Sequence, residues 1–212
     1  MTILPMTSLA VYITGELNEV LTLYIILASA SPRRKELLDM LGVRNLKVIP
    51  ASGEEIIPDD MSPERIVCEL SSFKAKEVSG KCSSEDIIIA ADTIVSIDGE
   101  ILGKPRDEED AFRMLSKLSG RTHSVFTGIT VIRGDDVLSE YERTSVRFRG
   151  MSEREKRSYI ASGEPMDKAG AYGAQGIGAL FVEGIEGDFF NVMGLPLCRL
   201  SKMLEKLGVI LI

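Results

Sequence analysis

Residues 27–35 read Leu27-Ala28-Ser29-Ala30-Ser31-Pro32-Arg33-Arg34-Lys35, a run of small residues followed at once by three cations. Small residues let a ligand approach the backbone closely, and arginine grips a phosphate through two parallel hydrogen bonds. Ser31 and Pro32 have the chemistry of a helix cap and first helical residue, so the cations fall in a first turn. That end of a helix already carries free N–H groups and partial positive charge. Cations there point to an anion among them. A solvated basic turn is the alternative.

Three further clusters could do chemistry. Asp92 sits in Ala90-Ala91-Asp92-Thr93, inside an apolar run that begins at Ile87. An ionised carboxylate in such a place needs a cation, hydrogen bonds or a metal. It could hold a divalent metal or take a proton from water, or it could be a structural acid bonded to backbone amides. Lys104, between Gly103 and Pro105, could face a phosphate or be an exposed loop lysine. Residues 164–178 (Glu164-Pro165-Met166-Asp167-Lys168-Ala169-Gly170-Ala171-Tyr172-Gly173-Ala174-Gln175-Gly176-Ile177-Gly178) hold four glycines, which implies tight backbone or a close ligand. Their spacing is not the dinucleotide fingerprint. The Gln175 amide offers both donor and acceptor to a base edge. The chain has no tryptophan, so base stacking would fall to Tyr172, a phenylalanine or aliphatic walls. Glu54-Glu55, Lys74 and Lys76 read equally well as solvated surface.

The elements that must position these residues alternate. Tyr24 to Ala28 predicts a buried strand, and Leu37, Leu38 and Leu41 the apolar face of a helix ending at Gly42. Ser62-Pro63 opens a second helix with Ile66, Val67, Leu70 and Phe73 on one face, stopped by Gly80. Ile87 to Ile97 predicts a strand, Asp98-Gly99 a hairpin turn, and Asp107 to Asp110 the acidic start of a helix closed by Gly120. Ser124 to Ile132, Val137 to Tyr141 and Thr144 to Phe148 predict three successive strands. Ser152 with Glu155 forms a capping box, and a last helix runs from Leu197 to Leu207. The fold class is α/β with a mixed sheet.

The formal net charge of −7 argues against a nucleic-acid partner, whose binding draws on many Lys/Arg–phosphate contacts. Three cysteines without metal-site or disulfide spacing fit a reducing, cytoplasmic setting. No apolar run is long enough to span a bilayer. Residues 1–22 read as an N-terminal extension, and 23–212 as one domain.

Ser29-Ala30-Ser31-Pro32-Arg33-Arg34, Ala91-Asp92-Thr93, Gly103-Lys104-Pro105, Leu118-Ser119-Gly120, the 164–173 run and Val192-Met193-Gly194-Leu195-Pro196 together resemble the Maf family of nucleoside triphosphate pyrophosphatases. Each motif is weak, but the ordered set is specific and runs from about Tyr24 to the C-terminus. The resemblance implies a mixed sheet flanked by helices, with two lobes around a cleft, similar in architecture to inosine triphosphate pyrophosphatases. It implies hydrolysis of a nucleoside triphosphate to the monophosphate and pyrophosphate with a divalent cation, Mg²⁺ or Mn²⁺. Asp92 falls on the family's proton acceptor. Arg34, Lys74 and Lys104, together with Arg33, would neutralise the phosphates, and Glu55 matches an acidic position that could help hold the metal or orient the attacking water.

The resemblance also implies a subgroup. Maf proteins that act on dTTP and UTP carry Arg, Thr and Gln at three specificity positions, here Arg33, Thr93 and Gln175. The group preferring 7-methyl-GTP has Trp, Gln and Glu. Ala174 departs from the Ile often found in relatives. Modified pyrimidine nucleotides are equally compatible substrates. A purine-type pyrophosphatase and a non-enzymatic regulator of septum formation are the alternatives. Family members are often dimeric, and the residues themselves carry no oligomer signal.

Overall fold

The computed structural model describes residues 12–13, 23–53 and 61–211. In chain order the elements are β1 (Tyr12–Ile13), β2 (Ile25–Leu27), α1 (Pro32–Met40), β3 (Leu46–Val48), α2 (Pro63–Ser79), β4 (Ile87–Ile97) and β5 (Glu100–Leu102). There follow α3 (Glu108–Leu118), β6 (Thr122–Arg133), β7 (Asp136–Phe148), α4 (Glu153–Ala161), β8 (Val182–Glu186), α5 (Phe189–Met193), α6 (Leu197–Lys206) and β9 (Val209–Ile210). Local chemistry sets most boundaries. Asp107 accepts from the Asp110 amide at the start of α3, and Ser152 and Glu155 form the expected capping box on α4. Ser31 occupies the cap position of α1, but its side chain makes no capping bond.

Among the described residues, seven strands form a mixed sheet in the order β3-β2-β4-β6-β7-β8, with β5 also on β4. β2 runs parallel to β3 and β4, while β4, β6, β7 and β8 pair antiparallel. Within the expected N-terminal extension, β1 pairs antiparallel with β9. No described helix is long and apolar enough to cross a membrane.

Two sequence expectations need correction. Val137–Tyr141 and Thr144–Phe148 are not separate strands but parts of one strand, β7, paired to β6 without a break. The polar residues that suggested a gap are satisfied in place: Arg143 donates to Ser124 and Glu142 accepts from Arg199. Phe73 is 43% exposed rather than facing inward with Leu70. Its ring lies over Gly53, beyond the helix face that meets the sheet.

β4 is the axis of the molecule, because its residues feed separate hydrophobic clusters along its length. Ile87, Ile89 and Ala91 pack with α1 and α6, and Ile88 and Ala90 with α2. Val95 and Ile97 pack with α3, α4 and the far end of β6 and β7. One edge of β4 pairs with β2 only over Ile87–Ile89 and with β5 only from Val95 onward. Between them, residues 90–94 have no strand partner on that edge among the described residues. A gap beyond the carboxyl end of a parallel strand is where open α/β sheets bind ligands.

Candidate active site

A cleft of about 680 Å³ opens at that gap. It is lined by the β2–α1 loop, the middle of β4, the loop after β5, residues 167–175 and the α5–α6 turn. Arg33, Arg34, Lys74, Lys104 and Lys168 line it against Asp92 and Asp167, so its described walls are basic although the chain is acidic. A local concentration of cations in a low-dielectric recess focuses attraction for an anion.

Asp92 lies at the centre, 8% exposed. Its Oδ1 accepts from Lys74 Nζ at 2.5 Å, which supplies the cation that a carboxylate in an apolar strand requires. Helix α2 brings that lysine in because Gly128, the β6 partner of Asp92, has no side chain. A Cβ there would stand 2.2 Å from the Val67 carbonyl oxygen.

Arg33 and Arg34, adjacent in sequence, part company. Arg34 is buried, and its Nε donates to Gly194 O (2.8 Å), one terminal nitrogen to Ser29 Oγ (3.0 Å) and the other to Thr93 Oγ1 (3.0 Å). This guanidinium knits three segments of the cleft wall together. Gly194 makes the approach possible, with φ of 104° and room for no more than a tight Cβ beside Thr93 and Arg34. Arg33 points into the cleft, its terminal nitrogen 3.7 Å from Asp167 Oδ2. Lys35 pairs with Asp39 on the surface and stands outside the site.

Thr93 is committed on two sides. Thr127 donates to the Asn191 carbonyl, so the Thr93–Thr127 bond of 2.9 Å must use the Thr93 proton. Thr93 also accepts from Arg34, which leaves one acceptor lone pair for a ligand and no donor. Lys104 is exposed at the rim, and its loop is pinned by the Gly170 amide donating to Gly103 O. Gln175 is exposed and also lines the opening.

Glu54 and Glu55 lie outside the described residues. Lys76 is exposed and does not line the cleft. Tyr172 is no stacking platform. Its ring is 5% exposed and packs edge-on against His123 and Phe148, and its hydroxyl bonds His123 Nε2.

Several site residues carried no assigned role in the sequence reading. Ser29 receives Arg34 and the Ser31 amide. Lys168 Nζ donates to Asp167 Oδ1 (2.6 Å) and to the Glu164 carbonyl. Desolvation pushes the Asp167 carboxyl up, but the Lys168 hydrogen bond and the Lys168 and Arg33 charges leave it below the usual range. These residues fall inside the motifs quoted above, yet no spacing rule marks them, because their partners are distant in sequence.

Among the described residues no three carboxylates, histidines or cysteines come together as a metal cage. The donor set still fits a hard cation such as Mg²⁺, which needs only one or two carboxylates alongside substrate phosphates and water. Asp92 can supply one such oxygen, Oδ2, since only Oδ1 is taken by Lys74.

A mixed α/β sheet with a basic cleft and one buried carboxylate at its base defines a protein that binds and acts on a small polyanion. The chain belongs to the Maf-like family: the family model described as Maf-like protein matches residues 24–207. It is 52% identical over 187 residues to a dTTP/UTP pyrophosphatase of Methanosarcina mazei, covering 87% of this chain and 94% of that one. Identity is 50% over 202 residues to one from Agathobacter rectalis (87% and 98% covered) and 48% over 191 residues to one from Caldicellulosiruptor saccharolyticus (87% and 94% covered). Among solved structures, a dITP/XTP pyrophosphatase from Mycobacterium abscessus overlaps 88% of this chain and 94% of its own at 14% identity, with a TM-score of 0.40.

Proposed function

We propose that this chain hydrolyses dTTP and UTP to the nucleoside monophosphate and pyrophosphate. The observation that carries the reading is the buried Asp92–Lys74 pair at the base of a cleft with basic described walls. The relatives that are 48–52% identical are dTTP/UTP pyrophosphatases, which supports the substrate.

In this reading Asp92 takes a proton from a water molecule, whose oxygen attacks the α-phosphorus. The bond from the α-phosphorus to the bridging oxygen breaks, and pyrophosphate leaves. Lys74, bonded to Asp92 Oδ1, stands beside the reacting phosphate and neutralises its charge. Arg33 and Lys104 neutralise the phosphate chain, each charged contact contributing about 2–4 kcal/mol in the transition state. Arg34, which lines the cleft while bonded to Ser29, Thr93 and Gly194, binds the phosphates with its remaining N–H groups. Glu55, the proposed metal carboxylate, would hold Mg²⁺ or Mn²⁺, which would supply charge neutralisation on the phosphates. Arg33, Thr93 and Gln175 set the base preference. Gln175 can pair with the carbonyl and N–H of a uracil or thymine edge. The proposed compartment is the cytoplasm, in keeping with three free cysteines, and the substrate is a free nucleotide rather than nucleic acid.

The test is pyrophosphate release from dTTP, UTP, CTP, ITP and 7-methyl-GTP with Mg²⁺ or Mn²⁺, for the native chain and Asp92→Asn. Metal-dependent turnover led by dTTP and UTP, reduced about 10²–10⁴-fold in the variant, is the expected result. Preferential turnover of ITP overturns the base assignment. Full activity in Asp92→Asn overturns the catalytic one.

A further inference from the structure

Gln175 sits on a segment with little regular structure of its own. Residues 172–176 join two short 3-10 turns, Ala169–Ala171 and Ile177–Phe181. A single carboxylate gathers this segment. Glu164 Oε1 accepts from the Gly178 amide (3.1 Å) and the Tyr159 hydroxyl (2.9 Å), and Oε2 accepts from the Ile177 amide (2.9 Å). The Tyr159 oxygen in turn accepts from the Gly173 amide at 3.1 Å. The loop is wrapped tightly around the pair. A Cβ on Gly178 would stand 2.5 Å from the Tyr159 oxygen, and one on Gly176 would stand 2.7 Å from Glu164 Oε2. Burial pushes the Glu164 carboxyl up, but the Ile177 and Gly178 amides and the Tyr159 hydroxyl outweigh it, so the carboxylate is ionised at neutral pH. Tyr159 itself is anchored in the hydrophobic cluster around α3 and α4, against Phe181.

Uracil and hypoxanthine present the same carbonyl and N–H to an amide, so Gln175 by itself cannot tell UTP from ITP. What separates them is ring size, and therefore how far Gln175 stands from the opposite wall of the cleft. We infer that Glu164, held by Tyr159, is a positioning residue that sets the depth of the base pocket and thereby the discrimination of pyrimidine from purine triphosphates. The inference rests on the proposed substrate class.

The experiment compares Glu164→Gln and Tyr159→Phe with the native chain in two measurements. In Glu164→Gln an NH₂ group faces a backbone N–H, so one anchor is lost at constant shape. Hydrogen–deuterium exchange at residues 173–178 is expected to speed up in both variants. The UTP-to-ITP ratio of kcat/KM is expected to fall about tenfold, with the loss of UTP hydrolysis falling on KM more than on kcat. Unchanged exchange at Ile177 and Gly178 in both variants overturns the anchoring. An unchanged UTP-to-ITP ratio, or an equal fall in kcat for both nucleotides, overturns the role in specificity. If the native chain turns over neither nucleotide while exchange still responds, the substrate assignment fails and the anchoring stands.

Discussion

Arg34 and Thr93 are 59 positions apart in the chain and are joined by a 3.0 Å hydrogen bond from a terminal guanidinium nitrogen to Oγ1. The same guanidinium reaches Ser29 and Gly194, so one side chain holds the β2–α1 loop, β4 and the α5–α6 turn in register around the cleft. A lysine has no rigid fork to match three acceptors in three directions. Arg34→Lys is therefore expected to cost about 2 kcal/mol of stability and to lower Tm by about 4–8 °C. Calorimetry would measure that loss, and pyrophosphate release should fall along with it.

Gly128 lets α2 lie against β6 opposite Asp92. With a Cβ only 2.2 Å from the Val67 carbonyl oxygen, Gly128→Ala must push the helix outward. Overpacking of this kind costs about 1–3 kcal/mol, and here it also moves Lys74 away from Asp92. Loss of both stability and kcat is expected. Gly150→Ala is the control, since a Cβ there meets nothing within 4 Å, and its melting should stay within about 0.5 kcal/mol of native.

Lys74→Met leaves the Asp92 carboxylate without its 2.5 Å ammonium partner. A charged contact in a desolvated site contributes about 2–4 kcal/mol in the transition state. kcat/KM for UTP, measured by pyrophosphate release, is therefore expected to fall by about 30- to 1000-fold. Activity within about threefold of native would remove Lys74 from the reacting site.

His123 is the chain's single histidine, buried between Phe148 and Tyr172. Burial lowers its pKa to about 4, and its Nδ1 has no hydrogen-bond partner. In the unfolded chain the imidazole titrates near its ordinary value of about 6.5. Between those two values the unfolded state binds the extra proton. Stability from this residue is therefore complete above pH 6.5 and is lost as the pH falls toward 4, by about 3 kcal/mol in all. Denaturant melts across that range should show the slope, and His123→Phe should flatten it. The imidazole resonances should remain those of a neutral ring down to about pH 4.

Much of the scaffold was legible locally. The apolar run Ile87–Ile97, the Asp98-Gly99 turn and the Ser152–Glu155 box each encode their structure within a few residues. Asp92 stood out as well, because an acid in a β-branched strand is costly without a partner. Such signals depend on near neighbours along the chain, and the sequence displays those directly.

The site's division of labour was decided elsewhere. Arg33 and Arg34 are indistinguishable as sequence, but successive helical residues point roughly 100° apart. Packing of α1 on the sheet then sends one arginine into the cleft and buries the other. Glu164 looked like any loop acid until the fold brought amides 13 and 14 residues away onto its two oxygens. Strand β7 ran through charges that would break an isolated strand, because partners on β6 and α6 satisfy them. Most strand and helix segments, and the need to compensate Asp92, follow from residues that are near neighbours along the chain. The cation that compensates it and the residues that shape the pocket follow from assembly of the sheet, because those hydrogen bonds join groups that come within reach of one another only then.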